Sequence, residues 1–142
     1  MKRRTFLTAA AGTAFAPLLP LAARASTIDY VPGLINERLD AGETLFVDFF
    51  APWCGTCQAQ NRVISALWDE NPAYLEHVTF IKVDWDTYKS SELVSSMNIP
   101  RRSTLVVLAP DRTEVGRLVA QTGRDDIKAL MDQALAVATG SA

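Results

Sequence analysis

Apolar residues in this chain switch between uninterrupted runs and helical spacing. Thr44 to Phe50 is an apolar run broken only by Asp48, the pattern of a strand covered on both faces. Val78 to Asp84 and Thr104 to Leu108 read as two further buried strands, and Val115 to Ala120 as another. Between these runs the period changes. Leu34, Ile35 and Leu39 fall near one face of a short helix over Pro32 to Leu39, closed by Gly42, since glycine is the usual residue just past a helix end. Val63, Ile64, Leu67 and Trp68 mark a second helix that ends at Asn71-Pro72, and Ile127, Leu130, Met131, Leu135 and Val137 mark a last one after Gly123. Strands alternating with helices, then two strands joined across Ala109 to Thr113, predict an α/β domain with a mixed central sheet flanked by helices. In such domains chemistry collects where a buried strand ends and a helix begins.

The first 25 residues follow neither rhythm. A charged head, Met1-Lys2-Arg3-Arg4, precedes an uncharged stretch from Phe6 to Ala23 that is interrupted by Gly12, Pro17 and Pro20. That is the shape of an export signal and a poor membrane span. The small residues Ala23 and Ala25 place cleavage after Ala25, with an uncleaved anchor as the alternative. Arg3-Arg4-Thr5-Phe6-Leu7 also resembles the twin-arginine signal, which would carry the protein across the membrane already folded; an ordinary secretory signal with a basic head is the competing reading. The expected organisation is therefore a signal over 1–25 and one domain over 26–142, large enough for a single core. Four of the 14 basic residues lie in that signal, so the remainder carries ten against 16 acidic residues. This acidic balance argues against nucleic acid or an anionic membrane surface as a partner. A periplasmic monomer, with no stable membrane insertion once the signal is removed, is the expectation.

Both cysteines of the chain, Cys54 and Cys57, sit directly after the Thr44 to Phe50 run, at the predicted junction of strand and helix. A structural zinc site needs about four Cys or His ligands, and only His77 remains to join these two. Covalent haem attachment needs a histidine directly after the second cysteine, where Gln58 stands. The reading left is a dithiol that cycles with a disulfide, needing no cofactor and no metal, with a purely structural disulfide as the alternative. If the helix begins near Cys54, unpaired backbone N–H groups at its positive end favour the thiolate there. Cys54 is then the attacking sulfur, and Cys57, one turn further in, can displace a substrate from a mixed disulfide. Gly55 would let a partner backbone approach, and Trp53 offers an apolar surface beside the sulfur. His77 reads as a surface residue, and Trp68 and Trp85 as core fillers without a role.

The segment Val47-Asp48-Phe49-Phe50-Ala51-Pro52-Trp53-Cys54-Gly55-Thr56-Cys57 resembles the active-site segment of the thioredoxin family. The likeness runs from about Ile28 to Leu135 and implies the thioredoxin fold and thiol–disulfide exchange. It also implies that Asp48 is the family's buried acid, which helps deprotonate the second cysteine, and that Lys82 is the lysine accompanying it. Asp48 is conspicuous without any resemblance, because a carboxylate in an apolar strand is costly unless paired or functional; an outward-facing Asp on an edge strand is the alternative. One departure stands out. The family carries a cis-proline before a Thr and a strand, and aligning on Thr104 puts Ser103 in that place, with Pro100 three residues too early. The Arg102–Ser103 bond is then expected to be trans, since a non-proline cis bond costs about 3 kcal/mol. Arg101 and Arg102 replace a usually apolar residue, and Arg102 is expected to stabilise the Cys54 thiolate and recruit acidic substrates unless both arginines are simply solvated. Arg62 stands where many relatives have a kinking proline, which affects shape more than chemistry.

Trp53, Gly55, Thr56, Arg102, Ser103 and Thr104 are thus the expected substrate contacts, and Cys54, Cys57, Asp48 and Lys82 the expected catalytic set. The expected function is reduction or exchange of disulfides in exported proteins, with electrons from a membrane-embedded thiol donor. An oxidase or isomerase of the same fold, or a redox-responsive binding module without turnover, is the alternative.

Overall fold

The computed structural model describes residues 27–141, so the signal expected over 1–25 lies outside the described residues. In chain order the elements are β1 (Ile28–Asp29), α1 (Leu34–Asp40), β2 (Thr44–Phe50), α2 (Gly55–Glu70), α3 (Ala73–His77), β3 (Val78–Asp84), α4 (Trp85–Tyr88), α5 (Glu92–Ser96), β4 (Thr104–Leu108), β5 (Glu114–Val119) and α6 (Arg124–Thr139). The five strands form one sheet in the order β1-β3-β2-β4-β5, with β1, β3 and β2 parallel and the last two pairings antiparallel. This is the mixed sheet flanked by helices that the alternating pattern predicts.

Alternation along the central strand divides the core into two layers. Leu45, Val47 and Phe49 of β2 pack with Ile81 and Val83 of β3 and with Leu34, Ile35 and Leu39 of α1. Phe46 points the other way and joins Phe80, Leu105, Ile64, Leu67, Tyr74 and the α6 residues Ile127, Leu130 and Met131. Asp48 is two residues from Phe46 and therefore faces the same layer, where only apolar side chains would otherwise be expected.

The long apolar runs become strands with the expected bounds at β2, β3 and β4. β5 begins at Glu114 and ends at Val119, one residue before the expected limits, because Ala120 turns away with φ 59°. The first helix starts at Leu34 rather than Pro32, since Gly33 precedes it at φ 92°. Four short elements have no periodic signal to announce them: the two-residue β1 and the helices α3, α4 and α5, of four or five residues each. Among the described residues no helix is long and apolar enough to cross a membrane.

Candidate active site

Central β2 ends at Phe50, and the chain turns through Ala51-Pro52-Trp53 into α2, the turn closing where Cys54 N–H donates to the Ala51 carbonyl at 3.1 Å. Cys54 is the N-cap of α2, in extended conformation, and its sulfur takes the place of a capping oxygen: it accepts from Cys57 N–H at 3.4 Å. The orphan donors of the helix start thus point at a thiol, as sequence reasoning requires. Both cysteines are free thiols and only 4% exposed. With Ala51 they form a small cluster against which Phe50 and Trp85 pack. Trp85, read as a core filler without a role, therefore also walls the dithiol.

Opposite the sulfurs stands the loop that precedes β4. Ser103 is fully buried, and its hydroxyl lies 3.3 Å from Cys54 Sγ and 3.0 Å from Cys57 Sγ. Pro100 is exposed, so the alignment that puts Ser103 in the proline's place agrees with the geometry. No cis peptide bond occurs among the described residues, and Ser103 instead adopts a left-handed backbone with φ 65°. That conformation is uncommon for a residue with a side chain and needs surrounding support. Three hydrogen bonds provide it. Ser103 N–H donates to the Phe49 carbonyl at 2.7 Å, and its own carbonyl accepts from Ala120 N–H at 2.8 Å and from Gln60 Nε2 at 3.0 Å. Gln60 is fully buried on α2 and spends its second N–H on the Gln121 carbonyl at 2.9 Å. Sequence reasoning passed over Gln60; the available signal was a polar residue on the helix face of Cys57 and Ile64, where an apolar one is expected.

The remaining expected residues divide into three groups. Arg102 lays its guanidinium 4.4 Å from the centre of the Trp53 ring, and Trp53, 60% exposed, donates its indole N–H to Asp86 at 2.8 Å. A broad aromatic surface is thereby held in place between a cation and a carboxylate. Gly55 is exposed and Thr56 half-buried at the mouth of the site. Thr104, by contrast, is fully buried, and its hydroxyl donates to the Arg101 carbonyl at 2.7 Å, so its side chain shapes the loop and does not face a substrate. Asp48 and Lys82 sit at paired positions of β2 and β3 behind the dithiol. Lys82 donates to Asn61 at 3.3 Å and lies 4.7 Å from the centre of the Phe50 ring. Asp48 belongs to the central strand of the sheet, not to an edge, and its Oδ1 has no hydrogen-bond partner.

The electrostatics follow from these contacts. Burial alone would raise the Cys54 pKa, but hydrogen bonds from Ser103, from the Cys57 thiol and amide, and from Arg102 outweigh it and lower the value to about 6. Burial raises Cys57, and the neighbouring Cys54 adds to the effect, so one sulfur ionises well before the other. Burial also pushes Asp48 up to about 7, with Lys82 pulling it down and Cys54 raising it. The alkylation rate of Cys54 should therefore follow a single titration with a midpoint near pH 6. In Arg102→Ala that midpoint should move upward; an unchanged midpoint would show that Arg102 does not act on the thiol.

No group of three or more His, Cys, Asp or Glu side chains suited to a metal occurs among the described residues. A groove of about 600 Å³ between Tyr30, Leu39, Tyr88 and Met97 includes none of the site residues.

Residues 34–133 match the thioredoxin family model. The chain is 35% identical over 94 residues to a thioredoxin of Chlamydia trachomatis, an alignment covering 66% of this chain and 84% of the relative. It is 36% identical over 74 residues to a peptide-N(4)-(N-acetyl-beta-glucosaminyl)asparagine amidase of Caenorhabditis elegans, but spans only 11% of that protein. Among solved structures it is similar to Trxlp from Edwardsiella tarda, with a TM-score of 0.62, 27% identity, and coverage of 75% of this chain and 96% of the other.

Proposed function

This chain belongs to the thioredoxin family and is a thiol–disulfide oxidoreductase, and we propose that it reduces or exchanges the disulfides of exported proteins. The observation that carries this reading is the asymmetry of the dithiol: Cys54, capping α2, ionises near pH 6, while Cys57 beside it stays protonated higher. In the proposed reaction the Cys54 thiolate attacks one sulfur of a substrate disulfide and forms a mixed disulfide. Cys57 then attacks Cys54 Sγ, releases the second substrate thiol and leaves the Cys54–Cys57 disulfide. Trp53, Gly55 and Thr56 form the docking surface, Arg102 favours acidic segments of the substrate, and Asp48 with Lys82 tunes the charge behind the pair.

Reduction rather than oxidation is favoured by the moderate lowering of Cys54. Strong oxidants drive this pKa to about 3.5, and residues 55 and 56, Gly and Thr, supply no histidine to do so. Reduction of insulin with a small dithiol as electron source tests the proposal. Turnover that disappears in Cys54→Ser supports it, whereas no turnover at high protein concentration favours a redox-responsive binding module.

Export by the twin-arginine route to the periplasm, cleavage after Ala25 and a membrane-embedded thiol donor complete the proposal, and they rest on the sequence of the first 25 residues. Replacing Arg3 and Arg4 together by lysine should retain the protein in the cytoplasm. A periplasmic product beginning at Ser26 in that variant would point to the ordinary secretory route instead.

A further inference from the structure

We propose that Ser103 is an acid–base residue of the exchange reaction, relaying the Cys57 proton to the first sulfur that leaves the substrate, and that Gln60 is the positioning residue that holds it there. This rests on the roles proposed above for Cys54 and Cys57. The Ser103 hydroxyl is the side-chain group that touches both sulfurs, at 3.3 and 3.0 Å, and a hydroxyl can donate one hydrogen bond while accepting another. With Cys54 ionised, the O–H can donate to its thiolate while the Cys57 S–H, which otherwise donates to Cys54, turns to the Ser103 oxygen 3.0 Å away. The proline that the family pattern places here has no group that could do either.

The step balances as follows. The Cys54 thiolate forms a bond to one substrate sulfur as the substrate S–S bond breaks, and the departing sulfur takes the electron pair. That sulfur receives the Ser103 proton while Ser103 takes the Cys57 proton. The products are a free substrate thiol, a mixed disulfide on Cys54, and Cys57 as a thiolate. Cys57 then closes the intramolecular disulfide and expels the second substrate sulfur, so the substrate gains the two electrons that the two cysteines lose. One proton transfer thus assists departure of the first product and activates the resolving nucleophile.

The surroundings leave this route open and offer little competition. The charged and titratable groups behind and beside the pair are Asp48 from β2, Lys82 from β3 and Arg102 from the loop before β4; α2 has no acidic residue in its first turn, and Asp86 in the first turn of α4 is turned to Trp53. Asp48 influences Cys54, whereas the Cys57 thiol responds to burial, Ser103, Cys54 and the Ala51 backbone. Below about pH 7 Asp48 is itself protonated and a poor acceptor. The hydroxyl is also fixed in place. Ser103 holds an uncommon left-handed backbone, and a buried glutamine spends an N–H on its carbonyl. Without Gln60 that carbonyl keeps one donor, Ala120 N–H, and the loop is free to relax.

The test compares leaving groups. An alkyl disulfide such as hydroxyethyl disulfide expels a basic thiolate that needs a proton, whereas dithiobis(nitrobenzoate) expels a weakly basic aryl thiolate that does not. In Ser103→Gly, which removes the hydroxyl and suits a φ of 65°, reduction of the alkyl disulfide at pH 6.5 to 7 (about neutral) should fall about 100-fold, the ordinary scale of a lost general acid. Loss of the Ser103 hydrogen bond also raises the Cys54 pKa, so each rate is divided by the Cys54 thiolate fraction read from that variant's own alkylation titration. On that scale release of the first aryl thiolate should stay within about threefold of the unmodified protein, since no proton is needed. Gln60→Met should show the same selective loss, about tenfold, whereas mere loosening of the fold would slow both substrates alike. Equal losses on the two disulfides in Ser103→Gly after that correction, or no loss on either, would overturn the relay while leaving the oxidoreductase reading intact. Failure of the unmodified protein to reduce either disulfide would instead remove the roles of Cys54 and Cys57 on which the relay rests.

Discussion

Replacing Cys57 by serine is expected to stop the reaction halfway, with substrate bound covalently to Cys54. The capping sulfur keeps the amide at residue 57, the Arg102 contact and a hydroxyl in place of the neighbouring thiol, so it remains ionised near neutral pH and still attacks a disulfide. The mixed disulfide then has no nearby thiol to resolve it, because these two cysteines are the only ones in the chain. Turnover should fall at least about 10³-fold while a one-to-one adduct accumulates, visible as a mass increase that a reductant removes. The reciprocal variant, Cys54→Ser, should lose turnover without forming the adduct, since Cys57 is buried and its pKa is raised. Adduct formation in Cys54→Ser but not in Cys57→Ser would exchange the two roles.

The second large effect concerns stability. Asp48→Asn should leave stability near that of the unmodified protein at pH 3 to 4 (roughly) and increase it progressively toward pH 8. Burial holds the Asp48 carboxyl at about 7, against an ordinary value of 3.8 that the unfolded chain would show. Between those values the folded state binds the proton that the unfolded state has released, so stability falls as pH rises through this window. Below it both states are protonated, and the penalty is absent. Above it the folded protein carries a buried charge whose Oδ1 lacks a partner, and the full penalty applies. The distance from 3.8 to about 7 corresponds to about 4 kcal/mol, an order-of-magnitude figure for the gain in Asp48→Asn at pH 8. Urea unfolding of both proteins across this range measures it, and a gain that does not depend on pH would show that Asp48 is not held protonated.

Much of this was legible in the chain because it follows from local periodicity. The β2, β3 and β4 strands are continuous apolar runs, and Cys54 falls at the start of α2 because the run ends at Phe50. Asp48 could be singled out as a polar residue inside such a run. Other features depend on contacts between distant parts of the chain. Gln60 is 43 positions from Ser103, and nothing in the spacing of either announces their hydrogen bond. Likewise, Ser103 could be placed in the proline's position by alignment, but its backbone conformation and its reach to both sulfurs depend on Phe49, Gln60 and Ala120. Thr104 was expected at the docking surface through its neighbour Ser103, yet it opens a strand covered on both faces and is buried with the rest of β4. The short helices α4 and α5 escaped notice because one turn cannot display a period.

The most direct test of the account is the reduction potential of the Cys54–Cys57 pair, titrated against glutathione and read from the fluorescence of Trp53 and Trp85 beside it. A moderately lowered Cys54 predicts a potential between about −270 and −200 mV, in the range of reductants and exchangers. A value near about −120 mV would mark a strong oxidant and contradict the proposed direction of electron flow.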